Sequence, residues 1–172
     1  MNTHVSDLAA PFLQAHRELL TFVESCDETQ WQAVPATERR SVGILAYHVA
    51  LGYHVEIELV KAVVSGQELP AIYLHTSELD AFNAADAEQH HDCTKAETVA
   101  LLQQNAAATV DYIQTLSDAE LNRAAHIPIL ARHFGQVVSA RQLVEGLLPV
   151  HIRMNLSEMR AATAVISNLQ LH

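Results

Sequence analysis

The sequence predicts an all-α chain folded as a four-helix bundle, and three observations carry the prediction. Apolar residues recur at spacings of three and four over four long segments, alanine is abundant while aromatic residues are few, and Pro35, Gly66, Pro70, Pro128 and Gly135 punctuate the gaps between those segments. With 172 residues, 49% of them apolar, the chain suffices for one well-formed core and is too short for two. Residues 1–172 are therefore read as a single domain.

The first helix is expected over 6–25, with Leu8, Phe12, Leu19, Phe22 and Val23 as its apolar stripe, Ser6 as N-cap and His16 on its surface. A loop holding Trp31 and Pro35 leads to a second helix over 42–65, capped by Ser41 and ended near Gly66. Residues 77–91 read as a short helix carrying Leu79, Phe82 and Asn83. Thr94 with Glu97 forms a capping-box pattern that opens the third long helix, 94–116, whose buried face is Val99, Leu102, Ala106, Val110, Ile113 and Leu116. Ser117 with Glu120 repeats the pattern and starts a short turn of helix. Residues 126–138 read as loop, and the last long helix runs over 139–167. Four such helices, joined by moderate connections, make an antiparallel or crossover-linked bundle.

Charge and processing signals exclude several classes. Twenty acidic residues against ten basic ones give a net charge of -10, and no basic cluster stands out beyond Arg39-Arg40, so nucleic-acid and anionic-membrane binding are disfavoured. The stretch Met1 to His4 lacks the charged start and apolar block of a signal peptide, and no apolar run reaches membrane-span length. A cytoplasmic location is expected, with Cys26 and Cys93 as free reduced thiols.

The chemistry concentrates on one face of two helices. His48 sits in an apolar stripe with Ile44 and Leu45 one turn back and Gly52, Val55 and Leu59 ahead, where an imidazole needs a hydrogen-bond partner or a metal to offset its lost hydration. In the last helix the stripe Leu143, Val144, Leu147, Leu148 continues at His151, Met154, Asn155 and Glu158. Three polar side chains at spacings of four and three thus face the bundle interior, while Arg153, Ser157 and Arg160 fall on solvated sides. Two histidines facing one core suggest a metal site. His90 and His91 are read as solvated or capping, and His126 and His133 as surface residues of a loop able to fold over the site.

These segments have a family likeness. Residues 41–56, 80–84 followed by 94–97, the 116–121 turn and the His151 helix occur in an order and spacing that resembles the DinB/YfiT-like metalloenzyme superfamily. The resemblance implies a four-helix bundle that binds a divalent metal, often zinc or nickel, through one histidine of the second helix and an HxxxH pair on the last. Some such proteins are thiol-dependent transferases or isomerases using a low-molecular-weight thiol, and many are homodimers. On that pattern His48 matches the second-helix ligand and His151 the first histidine of the pair. Asn155 stands where the second histidine belongs, and Glu158 where the family often has glutamine. An amide oxygen is a poor zinc ligand beside an imidazole, so this set should hold metal weakly. Glu158 ranks ahead of His54 as a substitute ligand, because His54 is turned about 120° from His48 around the helix.

Three functions follow as expectations. The first is a metal-dependent enzyme whose ion, on His48 and His151, activates a thiol or water toward a small-molecule substrate, with Tyr47, Tyr53 or Glu158 handling protons. The second is a non-catalytic bundle, degenerate at Asn155, that binds a small ligand. The third is an interaction protein that uses the fold as a platform.

Overall fold

The computed structural model describes residues 3–169, and the surroundings of side chains 8–165. Met1 and Asn2, which open the stretch inspected for a leader, lie outside the described residues. In chain order the elements are α1 (Thr3–Ser25), the one-turn α2 (Glu28–Trp31), α3 (Val42–Ser65), α4 (Thr76–Gln89), α5 (Lys95–Ile113) and the one-turn α6 (Asp118–Leu121). There follow β1 (Ala124–His126), the short α7 (Ala131–Phe134), β2 (Val137–Ser139), α8 (Ala140–Gln142) and α9 (Leu148–Leu169).

The four long helices close a ring in which α3 packs on α5 and α9, and α1 packs on the same two. Their directions follow from side chains that tie the ends together. Lys95 Nζ, at the start of α5, donates to Cys26 O just past the end of α1 (2.7 Å), so these two run antiparallel. The starts of α3 and α5 lie together, since Trp31 rests against Gly43 and donates from Nε1 to Cys93 O (3.3 Å), while Asn105 Nδ2 reaches Ala50 O (2.8 Å) farther along. They are parallel. Thr37 meets Glu158 before α3 begins and His151 meets Glu56 two-thirds of the way along it, so α9 runs antiparallel to α3. The diagonal pairs are therefore α1 with α3 and α5 with α9, while α3 and α5, consecutive among the long helices, pack side by side in parallel, which makes the bundle the crossover-linked kind.

Caps set most boundaries. Ser41 Oγ accepts from Ile44 N (3.3 Å), Gly66 closes α3 at φ 70°, and Thr94 with Glu97 and Ser117 with Glu120 form complete capping boxes. The core contains Leu45 and Leu102, with Val55 and Leu147 packed against it.

Four expectations need correction. Helix α1 starts at Thr3, so Ser6 lies inside it and does not cap it. His16 is buried, because it continues the Phe12, Leu19, Val23 stripe, and its Nδ1 lies 3.2 Å from the Tyr53 hydroxyl. Residues 126–138 are not plain loop: β1 and β2 form a small antiparallel hairpin, His126 opposite Val137 and Ala124 opposite Ser139, with α7 between them. The last helix is interrupted. Leu143–Leu147 is a π-helical turn in which Leu148 N–H bonds Leu143 O five residues back, immediately before Pro149, which has no N–H to offer Glu145. That extra residue turns the following stripe. Leu148, Ile152, Leu156, Met159 and Ala162 are core residues of α9, and Met154, expected to face inward, is 60% exposed.

Candidate functional site

The antiparallel pairing of α3 and α9 sets His48 and His151 edge to face, their ring centroids 5.3 Å apart and their planes at 85°. Gly52, one turn beyond His48, makes the approach feasible: a Cβ there would lie 2.8 Å from His151 Cε1. Glu56, a further turn along, places Oε1 3.0 Å from His151 Nδ1. The contact lies off hydrogen-bonding direction, and His151 Nδ1 and Glu56 Oε2 are both buried without a hydrogen-bond partner among the described residues. It is an ion pair by proximity. Burial disfavours a charged His151, but the adjacent Glu56 carboxylate outweighs it and holds the imidazole above its ordinary value.

His48 has the opposite bias. Its Nδ1 lies 2.9 Å from Asp86 Oδ2, supplied by α4. An ionised carboxylate only accepts, so Nδ1 carries the proton and Nε2 keeps its lone pair. Burial lowers the His48 pKa, with the Asp86 hydrogen bond opposing and the charges of His151 and Arg40 reinforcing. Asp86 Oδ1 in turn lies 3.8 Å from His90, whose ring stacks on Tyr47 at 4.3 Å. His90 caps the end of α4, its N–H on Asp86 O, and its ring is engaged as well.

Both rings line a cavity of about 560 Å³ between α3, α4, α7 and α9. Val55, Ile72, Leu79, Phe82, Ile129 and Phe134 contribute apolar wall, and Glu38, Arg40, Glu56, Asn83, Asn155 and Glu158 contribute polar groups. Of the residues expected at the site, His48, His151, Asn155 and Glu158 share this cavity, Met154 stands at its rim, and His133 enters it from α7. His126 and His54 are exposed. Tyr53 is fully buried against Phe12 and His16, away from the cavity lining, with its hydroxyl pKa pushed up by burial, and Tyr47 is occupied with His90. Neither is placed to handle protons there.

Asn155 and Glu158 are partly committed elsewhere. Asn155 Nδ2 donates to His151 O (2.9 Å), and Glu158 accepts from Thr37. Among the described residues no group of three or more His, Cys, Asp or Glu is arranged to hold a metal ion. The donor set thus stops at two imidazoles and an amide and does not fit a three-ligand zinc centre. Cys26 and Cys93 are free, and burial raises both thiol pKa values, which disfavours the reactive thiolate.

Sequence reading missed Glu56, Asp86, Arg40 and Asn83. Only Glu56 had a signal, since His48, Gly52 and Glu56 repeat at four-residue spacing on one face of α3.

Fold and site together define an all-helical bundle with a small-molecule-sized cavity, floored by two imidazoles from facing helices. The DinB superfamily model matches residues 12–157, and the chain belongs to that superfamily. Comparison with curated proteins and with solved structures gives no significant match. Among the described residues no helix is long and apolar enough to cross a membrane.

Proposed function

We propose that this protein is a small-molecule-binding member of the DinB superfamily, its ligand seated between α3, α4 and α9 against the His48–His151 pair. The observation that carries the reading is the cavity itself: about 560 Å³, walled mainly by apolar side chains, with a few convergent polar groups at its floor. Ligand sites commonly have volumes of roughly 300–1,000 Å³ and this kind of lining. The test uses apolar fragments, toluene and indole, with histidine ring resonances as reporter. Binding should move the His48 and His151 signals and spare exposed His54 and His126, and Val55→Trp, which fills the cavity, should abolish the response. Fragments that leave the two cavity histidines unmoved overturn the reading.

A second reading, divalent-metal chemistry on a low-molecular-weight thiol, is favoured by one observation. His48 has its Nδ1 on the Asp86 carboxylate, the outer-shell arrangement that leaves Nε2 for an ion. Bound zinc or nickel would lower the pKa of a thiol or water. His48 and His151 would hold the ion, and Asn155 is the weak member. Zinc titration of chelator-treated protein should therefore show weak binding, tightened roughly tenfold or more by Asn155→His and lost again when His48→Ala is added. Equal zinc response in native and Asn155→His proteins would remove position 155 from the site. The homodimer expected from the resemblance is checked by sedimentation.

A further inference from the structure

Four buried side-chain polar atoms lack a hydrogen-bond partner among the described residues, namely Arg40 Nη1, Glu56 Oε2, Asn83 Oδ1 and His151 Nδ1. All four belong to residues that line the cavity described above. Folded proteins satisfy nearly all buried polar groups, so orphans gathered on a single cavity point to a missing occupant. Their chemistry is specific. Arg40 offers a donor on a cation, because Glu38 occupies only its Nε (3.0 Å) and Nη2 (2.8 Å). Glu56 Oε2 offers an acceptor on an anion, and Asn83 Oδ1 a second acceptor. An occupant with one charge leaves the other end bare, and a bare buried polar group costs as much as a good hydrogen bond gains.

We propose that the cavity takes a small zwitterion with an apolar body, of the amino-acid type, its carboxylate on Arg40, its ammonium on Asn83 and Glu56, and its side chain against Val55, Leu79 and Phe82. The proposal rests on the cavity being a ligand site and adds the class of ligand. The terminal torsion of Asn83 is soft, so its amide can turn Oδ1 toward a ligand at little cost. Glu56 keeps Oε1 on His151 while Oε2 receives the ammonium.

The test is calorimetric titration of the full chain with three probes of one carbon skeleton: L-leucine, isocaproate, which lacks the ammonium, and isoamylamine, which lacks the carboxylate. Native protein should bind leucine about tenfold more tightly than either single-charge analogue. Arg40→Gln should weaken leucine and isocaproate and spare isoamylamine, and Asn83→Leu should weaken leucine and isoamylamine and spare isocaproate. Leucine binding no tighter than the analogues, or variants that weaken all three probes alike, overturns the proposal. Should Arg40→Gln fail to fold, the native comparison and Asn83→Leu still decide it. If toluene occupies the cavity and leucine does not bind, the head-group assignment falls and the cavity reading stands; if neither binds, both fall.

Discussion

Gly52 is the residue at which one added carbon changes the cavity floor. Because its Cβ would meet the His151 ring at 2.8 Å, Gly52→Ala should displace that ring from Glu56 and cost about 1–3 kcal/mol, read as a lower melting temperature together with a shifted His151 resonance. Unchanged His151 signals would mean that the ring stays in place and the α3 backbone gives way instead. At His16 the prediction concerns pH. Burial first, then the charge of Arg17, lowers its folded pKa below the ordinary histidine value of 6.5, so the unfolded chain binds the extra proton as pH falls from 6.5 toward the folded value. Stability present above 6.5 is lost across that window. His16→Gln should flatten that part of a stability-versus-pH curve measured by denaturant titration, and an unchanged slope would assign the loss to other groups. The same residues show what a sequence discloses about a site. His48, His151 and Asn155 were legible because a polar side chain interrupts an apolar stripe, and by that rule His16, four residues after Phe12, was legible too. Asp86, Asn83 and Arg40 were not, because they arrive from α4 and from the segment before α3, and only packing brings them to His48.

At the scale of the element, caps decide whether a boundary can be read. Helix α3 runs from Val42 to Ser65, the expected bounds, because Ser41 and Gly66 supply both ends chemically. The capping box of Thr94 and Glu97 opens α5 in the same way, and Thr94→Ala should cost about 1 kcal/mol, visible as a lower melting temperature without change of fold. No loss would show the start of α5 to be held by packing alone. Strands β1 and β2 escaped notice because three residues each are too few for alternation to register. The π-turn escaped for another reason. Counting along a helix assumes one constant period, and Leu143–Leu147 breaks it, so the stripe through Leu147 continues onto the cavity face at His151 and Asn155 while the core stripe passes through Leu148, Ile152, Leu156 and Met159. Pro149, without an N–H, was the local marker.

For the molecule as a whole, helical periodicity predicted the bundle, while the ring order of its helices depends on contacts between distant segments. The core is continuous across all four long helices, with Phe12, Leu45, Leu102 and Leu156 among its buried members. Leu102→Ala should therefore destabilise the whole domain by about 2–5 kcal/mol in a single cooperative transition, and a separate melting step for α5 would contradict that continuity. Helices α1 and α3 lie diagonally, as do α5 and α9, so α1 packs mainly on α5 and α9, and α3 closes its second side with α9. Such separations slow folding relative to a bundle of successive hairpins, since loop closure must precede the contacts that reward it. The last helix also carries His151, Asn155 and Glu158 of the cavity lining. A chain emerging from the ribosome thus lacks the proposed ligand cavity until α9 docks, and in stopped-flow refolding the proposed binding should appear only in the final phase, making occupancy a timer for completion of the fold.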